Sequence, residues 1–175
     1  IIGGDTTFSD TIIISFTVIG ETTKPIYRSG AKPGDNVYVS SYTGLSDGGL
    51  YALKNKTNGF KMLKDKHKKP IARLDIASKI SKHANSMIDI SDGLASEILH
   101  ICIDSGVGCR LYEEKIPVDT LTAITAAEFE MSTITAAMNG GEDYELLFTI
   151  AMSDVEKIKN IPDVKIIGHI TDASD

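Results

Sequence analysis

Asp89-Ile90-Ser91-Asp92-Gly93 sets two carboxylates three residues apart, with a hydroxyl between them. It falls where a short apolar strand, Ser86 to Ile90, gives way to a helix expected over Asp92 to Ser105. At such a junction, unpaired backbone N–H groups and the helix dipole favour an anion. The carboxylates suit Mg2+, a hard ion that takes oxygen ligands. A metal and a dipole at one place suit a polyphosphate. The spacing does not fit an EF-hand: Gly93 is out of register, and the twelfth position is His100 instead of Glu. The plainer alternative makes Asp92 the helix N-cap and Asp89 a strand-end residue.

Two glycine pairs carry further acids. Gly3-Gly4-Asp5-Thr6-Thr7 brings backbone, a carboxylate and two hydroxyls together, as a ligand-cradling loop or as a plain turn. Gly140-Gly141-Glu142-Asp143-Tyr144-Glu145 places three acids at the entry to an apolar strand, Tyr144 to Ile150. Acids there either face solvent as a turn or point into a cleft. No Gly-Lys pair exists, which excludes the P-loop route to ATP, and neither G-x-G-x-x-G nor H-E-x-x-H occurs. His67, His83, His100 and His169 are dispersed and read as surface or helix residues.

The elements that must position these residues follow from pattern. Strands are expected at Ile12–Ile19, where β-branched residues dominate, and at Asn36–Ser41, Val107–Tyr112 and Val164–Ile170. Thr43–Gly49 reads as a glycine-punctuated loop before a short helix, Gly49–Leu53. Lys54–Lys69 breaks pattern and reads as a lysine-rich solvated loop, or a lid that attracts phosphate. Arg73–Ala84 is expected to be helical with Leu74, Ala77 and Ile80 on one face. The next helix carries Leu94, Ile98, Leu99 and Cys102, with Gly106 at its end. Thr120–Met138 suits two helical pieces, and Ser153 suits the N-cap of a helix to Asn160. Interleaved strands and helices without an internal repeat predict an α+β fold, an α/β sandwich.

Composition sets limits. With 175 residues and 42% hydrophobic content, the chain can build a core. Twenty-four acids against 18 lysines and arginines give a net charge of −6. That balance disfavours nucleic acid and anionic membranes as general partners. Cys102 and Cys109 form no zinc or redox spacing, no apolar run is long enough to span a bilayer, and no basic-then-apolar leader is present. A cytoplasmic setting is expected.

Four segments in order resemble the thiamine-monophosphate kinase family, within the superfamily of aminoimidazole ribonucleotide synthetase and selenophosphate synthetase. They are Ile2 to Thr7, Arg28-Ser29-Gly30-Ala31-Lys32-Pro33-Gly34-Asp35, Ile88 to Leu94, and Gly140 to Phe148. The resemblance implies transfer of the ATP γ-phosphoryl group to thiamine monophosphate, with several Mg2+ ions, in a homodimer. It implies that Gly4 and Asp5 meet ATP, with Asp5 also on metal. Arg28 and Ser91 would contact the nucleotide, Asp89 and Asp92 would hold Mg2+, and Glu142 would face thiamine monophosphate. It divides the chain at the Gly/Pro-rich joint: residues 1–29 as a strand remnant of an N-terminal ATP- and metal-binding domain, and 30–175 as a C-terminal α/β domain. Further acidic metal-binding loops are expected before Ile1 and an aromatic residue beyond Asp175, so this chain alone is expected to be inactive. Another ATP-dependent synthetase of the superfamily, or a non-catalytic nucleotide-binding module, is the alternative.

Overall fold

The computed structural model describes residues 2–173; Ile1, Ser174 and Asp175, at the ends of the two expected domain spans, lie outside the described residues. Five strands form one antiparallel sheet: β1 (Asn36–Ser40), β2 (Ala84–Asp89), β3 (Gly108–Leu111), β4 (Leu146–Ile150) and β5 (Val164–Thr171). Their spatial order is β2-β4-β1-β5-β3. The helices are α1 (Leu45–Lys54), α2 (Lys61–Lys68), α3 (Leu74–Ile80), α4 (Leu94–Ser105), α5 (Thr120–Glu128), α6 (Thr133–Asn139) and α7 (Val155–Ile158).

The sheet is covered on both faces, as an α/β sandwich requires. On one face Val37, Val39, Leu147 and Ile167 pack with Leu94, Ile98 and Ile101 of α4 and Ala137 of α6. On the other, Tyr38, Phe148 and Ile150 pack with Ile76, Ile80 and Ile158. Tyr38 and Phe148 sit opposite each other in register and stack at 5.6 Å between ring centres. Central β1 is therefore buried at all five positions, so its apolar–polar alternation does not mark an inside and an outside.

Several sequence expectations change. Ile12–Ile19 forms no strand, and residues 2–25 are exposed throughout. A strand needs a hydrogen-bonding neighbour, and no described strand lies beside this segment. Leu74 and Leu99, expected in helix cores, are 75% and 58% exposed; Ile76 and Ile101 take those places. Ser153 caps no helix, because a 3-10 turn over Met152–Asp154 precedes α7.

The lysine-rich stretch holds a helix, α2, and Thr43–Gly49 is mostly helix α1. Both revisions share one cause: α1 and α2 pack at a glycine seam. A Cβ on Gly49 would lie 2.2 Å from the Leu63 carbonyl oxygen. Only glycine allows that approach, and the glycine pair that reads as loop is the contact face of a helix. Gly48 is different, since a Cβ there would meet side chains and no backbone: the end of Leu63 at 3.2 Å and Thr125 at an ordinary 3.7 Å. Gly49→Ala should therefore destabilise the chain by about 2–3 kcal/mol, because backbone must move. Gly48→Ala should be near neutral, with helix propensity gaining up to ~1 kcal/mol against a small repacking cost. Urea unfolding of the two variants checks the contrast.

Candidate active site

Strands β1 and β2 end, and β4 begins, at one edge of the sheet. There Asp89 pairs in register with Leu146. Past Asp89 the chain dips through buried Ile90 and turns into α4 at Gly93, whose φ of 112° and close approach to Asn139 (2.9 Å from a would-be Cβ) both demand glycine. Gly141 lies equally close to the Ser91 carbonyl oxygen, 2.6 Å from a would-be Cβ. Three backbone hydrogen bonds zip the two loops together. Glu142 N–H donates to Ser91 O, Tyr144 N–H to Ile90 O, and Ile90 N–H to Glu145 O, each at 2.8 Å. The structure thus brings Asp89, Ser91, Asp92 and Glu142 to one rim.

The carboxylates of Asp89, Asp92 and Glu142 are exposed, and among the described residues none forms an ion pair. Asp92 is not the N-cap of α4; Gly93 holds that position without a side-chain bond. The anion that α4 does receive at its start is the chain's own buried Glu97. Its Oε1 accepts from Asp92 N–H at 3.1 Å and Ser91 Oγ at 3.2 Å. The Tyr144 hydroxyl donates to Glu142 Oε2 at 2.9 Å. That bond, then burial, then the charges of Glu142, Asp89 and Asp92 push the phenol above its ordinary value.

Among the described residues no three of His, Cys, Asp or Glu come close enough to enclose a metal ion. The donor set still fits Mg2+ in its usual mode, held by one or two carboxylates and completed by water and substrate phosphates. Asp89 and Asp92 provide such a pair.

The remaining expected residues lie elsewhere. Gly4 has open space around it, and Asp5 bonds only the neighbouring Thr6 N–H among the described contacts. Arg28 pairs with Asp104 at 2.5 Å, at the far end of α4 from Asp92, roughly 15 Å along the helix. Residues 27–31 are held there by two N–H bonds to Ser105 Oγ and by Met87 N–H donating to Tyr27 O.

The sequence reading missed the inward half of the acidic loop. Asp143 and Glu145 do not face solvent; both are buried, Glu145 in the wall of a cavity beside α2 and α3. Asp143 accepts from Gly44 N–H (2.5 Å) and Ser46 N–H (2.9 Å), capping α1 from across the fold. Glu145 accepts from Lys66, Arg73 and Ser40. No local pattern in Glu142-Asp143-Tyr144-Glu145 separates the inward acids from the outward one, since the partners lie far away in sequence. Gly44-Leu45-Ser46-Asp47-Gly48 also has the G-x-S-x-G spacing of a nucleophile elbow, and Ser46 Oγ lies 2.8 Å from His67 Nδ1. Ser46 is fully buried within α1, so the pair is a packing contact between α1 and α2.

Residues 32–175 match the family described as AIR synthase related protein, C-terminal domain, and the chain belongs to that family. Within it, the similarity is to thiamine-monophosphate kinases. The Aquifex aeolicus enzyme is 38% identical over 153 residues, covering 85% of this chain and 50% of that protein. The Pyrococcus abyssi enzyme is 37% identical over 97% of this chain and 53% of its own length. A solved structure of AaThiL complexed with AMPPCP and TMP superposes with a TM-score of 0.77 at 34% identity, over 84% of this chain and 48% of that one. The E. coli hydrogenase maturation protein HypE, at 14% identity over 86% of this chain and 48% of its own, shares the fold with a TM-score of 0.66. The chain spans about half the length of the curated relatives it matches. No helix among the described residues is long and apolar enough to cross a membrane.

Burial pushes the Asp143 carboxyl up to about 6, against the lowering effect of its two N–H bonds. A carboxyl raised from 3.8 in the unfolded chain stabilises the fold fully below that pH, and loses the contribution as pH rises through about 6. Asp143→Asn removes the titration. Between pH 4 and 7 the parent should lose stability relative to the variant, by on the order of 3 kcal/mol. Urea midpoints measured for both across that range read the difference.

Proposed function

We propose that this chain is part of a thiamine-monophosphate kinase, which transfers the γ-phosphoryl group of ATP to thiamine monophosphate and yields thiamine diphosphate. The observation that carries the reading is the acidic rim itself: Asp89, Ser91 and Asp92 at the β2–α4 junction, with Glu142 hydrogen-bonded beside them. Its relatives of 34–38% identity are thiamine-monophosphate kinases, and one of those structures holds an ATP analogue together with TMP.

Phosphoryl transfer asks for placement and charge neutralisation more than for a general base. The attacking phosphate oxygen is already anionic at neutral pH. Mg2+, when bound, supplies the charge that lets two phosphates approach. In this chain Asp89 and Asp92 would hold that ion, and Ser91 would offer its hydroxyl to the nucleotide. Glu142 orients thiamine monophosphate, steadied by Tyr144. Gly4 and Asp5 on ATP and metal, and Arg28 on ATP, enter through their motifs. The Arg28–Asp104 pair is half-exposed, and exchanging Asp104 for a phosphate costs about 1 kcal/mol or less. The same reading makes the full-length protein a cytoplasmic homodimer with several Mg2+ ions. It also makes residues 1–29 a piece of the N-terminal domain and 30–175 the C-terminal one.

The full-length protein with Mg-ATP and thiamine monophosphate should form thiamine diphosphate; none above background sinks the reading. If product appears only with substrates of the sibling synthetases, that branch of the superfamily is correct instead. Asp89→Asn should lower turnover by roughly 100-fold at an unchanged melting temperature, since the exposed carboxylate supports no fold contact. In calorimetry this chain alone should bind Mg-ATP weakly or not at all, because Gly4, Asp5 and Arg28 stand away from the rim. Micromolar affinity would show the nucleotide site to be elsewhere.

A further inference from the structure

Glu145 is three residues from Glu142 yet faces the opposite side of the sheet. Its Oε1 accepts from Lys66 Nζ at 2.6 Å, and its Oε2 from Arg73 NH1 at 2.7 Å and Ser40 Oγ at 2.5 Å. The side chain is 3% exposed, with Arg73 at 12% and Lys66 at 16%. The three line the inner wall of a cavity of about 700 Å3 between α2, α3 and the start of β5. Arg73 also reaches Asp75, so its planar fork ties two carboxylates at once.

What fixes Glu145 also fixes Glu142. Glu145 O, Tyr144 N–H and Glu142 N–H are the groups that zip this loop to Ile90 and Ser91. Glu142 and Tyr144 both hold left-handed backbone, with φ of 65° and 51°. Side chains other than glycine keep that conformation only where the surroundings impose it. The imposing contacts lie at the buried positions between and after them, Asp143 and Glu145. Of these, Glu145 is the one ion-paired by side chains, Lys66 and Arg73, whereas Asp143 is held by two backbone N–H groups and feels Lys66 only through space.

We propose that Arg73, with Lys66, is a positioning residue: by clamping Glu145 it holds the Glu142–Glu145 segment in register, so that Glu142 and Tyr144 face the Asp89–Asp92 rim. This rests on the reading of Glu142 as the contact to the phosphoryl acceptor. Arg73 touches no reacting group and acts through about three residues of backbone. Its loss leaves Glu145 with one cation and one hydroxyl, and releases the strained pair.

The test has two arms. In the full-length enzyme, Arg73→Met should raise KM for thiamine monophosphate roughly tenfold, with KM for ATP and kcat within about twofold. Arg73→Lys should recover most of the loss. A merely structural role predicts parallel loss in kcat and both KM values, tracking the folded fraction, and would overturn the proposal. In this chain, amide NMR of Arg73→Met should move the Ser91, Glu142 and Tyr144 signals and leave Val37 and Phe148 in place. Unmoved Glu142 and Tyr144 signals would overturn the clamp. If Arg73→Met does not fold, Glu145→Gln, which keeps the shape but not the charge, is read the same way. If the parent makes no thiamine diphosphate, the functional reading falls and the NMR arm alone decides the clamp.

Discussion

A carboxylate cannot stand alone inside a protein, and this fold buries three near one sheet edge. Glu145 is answered by two cations and a hydroxyl, Asp143 by two backbone N–H groups, and Glu97 by a hydroxyl and an N–H at the start of α4. Two of them need partners from a distant stretch: Glu145 from β1, α2 and the residue before α3, Asp143 from the start of α1. The cost of burying these charges unpaired is several kcal/mol each, so the elements that carry the partners are held to the sheet edge. Lys66 is the clearest case. It draws a lysine-rich helix with a single buried apolar residue, Leu63, against the sheet.

That inward demand produces the outward rim. Glu142 and Tyr144 hold left-handed backbone before and between the anchored Asp143 and Glu145, and their side chains meet at the rim through the Tyr144–Glu142 hydrogen bond. Gly141 and Gly93 then let the acidic loop and the β2–α4 turn approach at backbone distance, which no Cβ would permit. The rim is thus assembled by burial on the far side of the same residues. Changes to the clamp and changes to the rim act on one piece of backbone.

Much of this was legible in the sequence. The strand-to-helix junction at Asp89–Gly93 stands where pattern puts it, the strand expected at Tyr144–Ile150 forms over Leu146–Ile150, and the alternating strands and helices form the expected sandwich. What pattern could not supply was partnership. Ile12–Ile19 has the composition of a strand, but composition does not provide a neighbouring edge. Gly48-Gly49 has the look of a loop, because a glycine seam between helices and a turn leave the same trace. Lys54–Lys69 reads as solvated, since nothing local reveals that Glu145, 79 residues beyond Lys66, lies buried across from it. The acids of Gly140–Glu145 read as one cluster, although alternate members serve opposite purposes. Long-range pairing decides each case, and local periodicity carries no trace of it.

The charge balance gains a sharper meaning from where the pairs fall. The net charge of −6 suggests a protein hostile to phosphate. Six of the 18 lysines and arginines pair with acids, all away from the rim: Lys66 and Arg73 with Glu145, Arg73 also with Asp75, Lys61 with Asp65, Lys157 with Asp154, Lys159 with Glu156, and Arg28 with Asp104. Among the described residues, Asp89, Asp92 and Glu142 receive none. Three unpaired carboxylates at one rim repel one another, and a bare polyphosphate would add to that repulsion. A divalent cation reverses the sign of the problem, since it is attracted by the same charges and presents the opposite one to the ligand. On the kinase reading proposed above, the rim would take phosphate together with metal. The rim groups that are not carboxylates, the Ser91 and Tyr144 hydroxyls, are themselves fixed by acids, Ser91 by buried Glu97 and Tyr144 by Glu142.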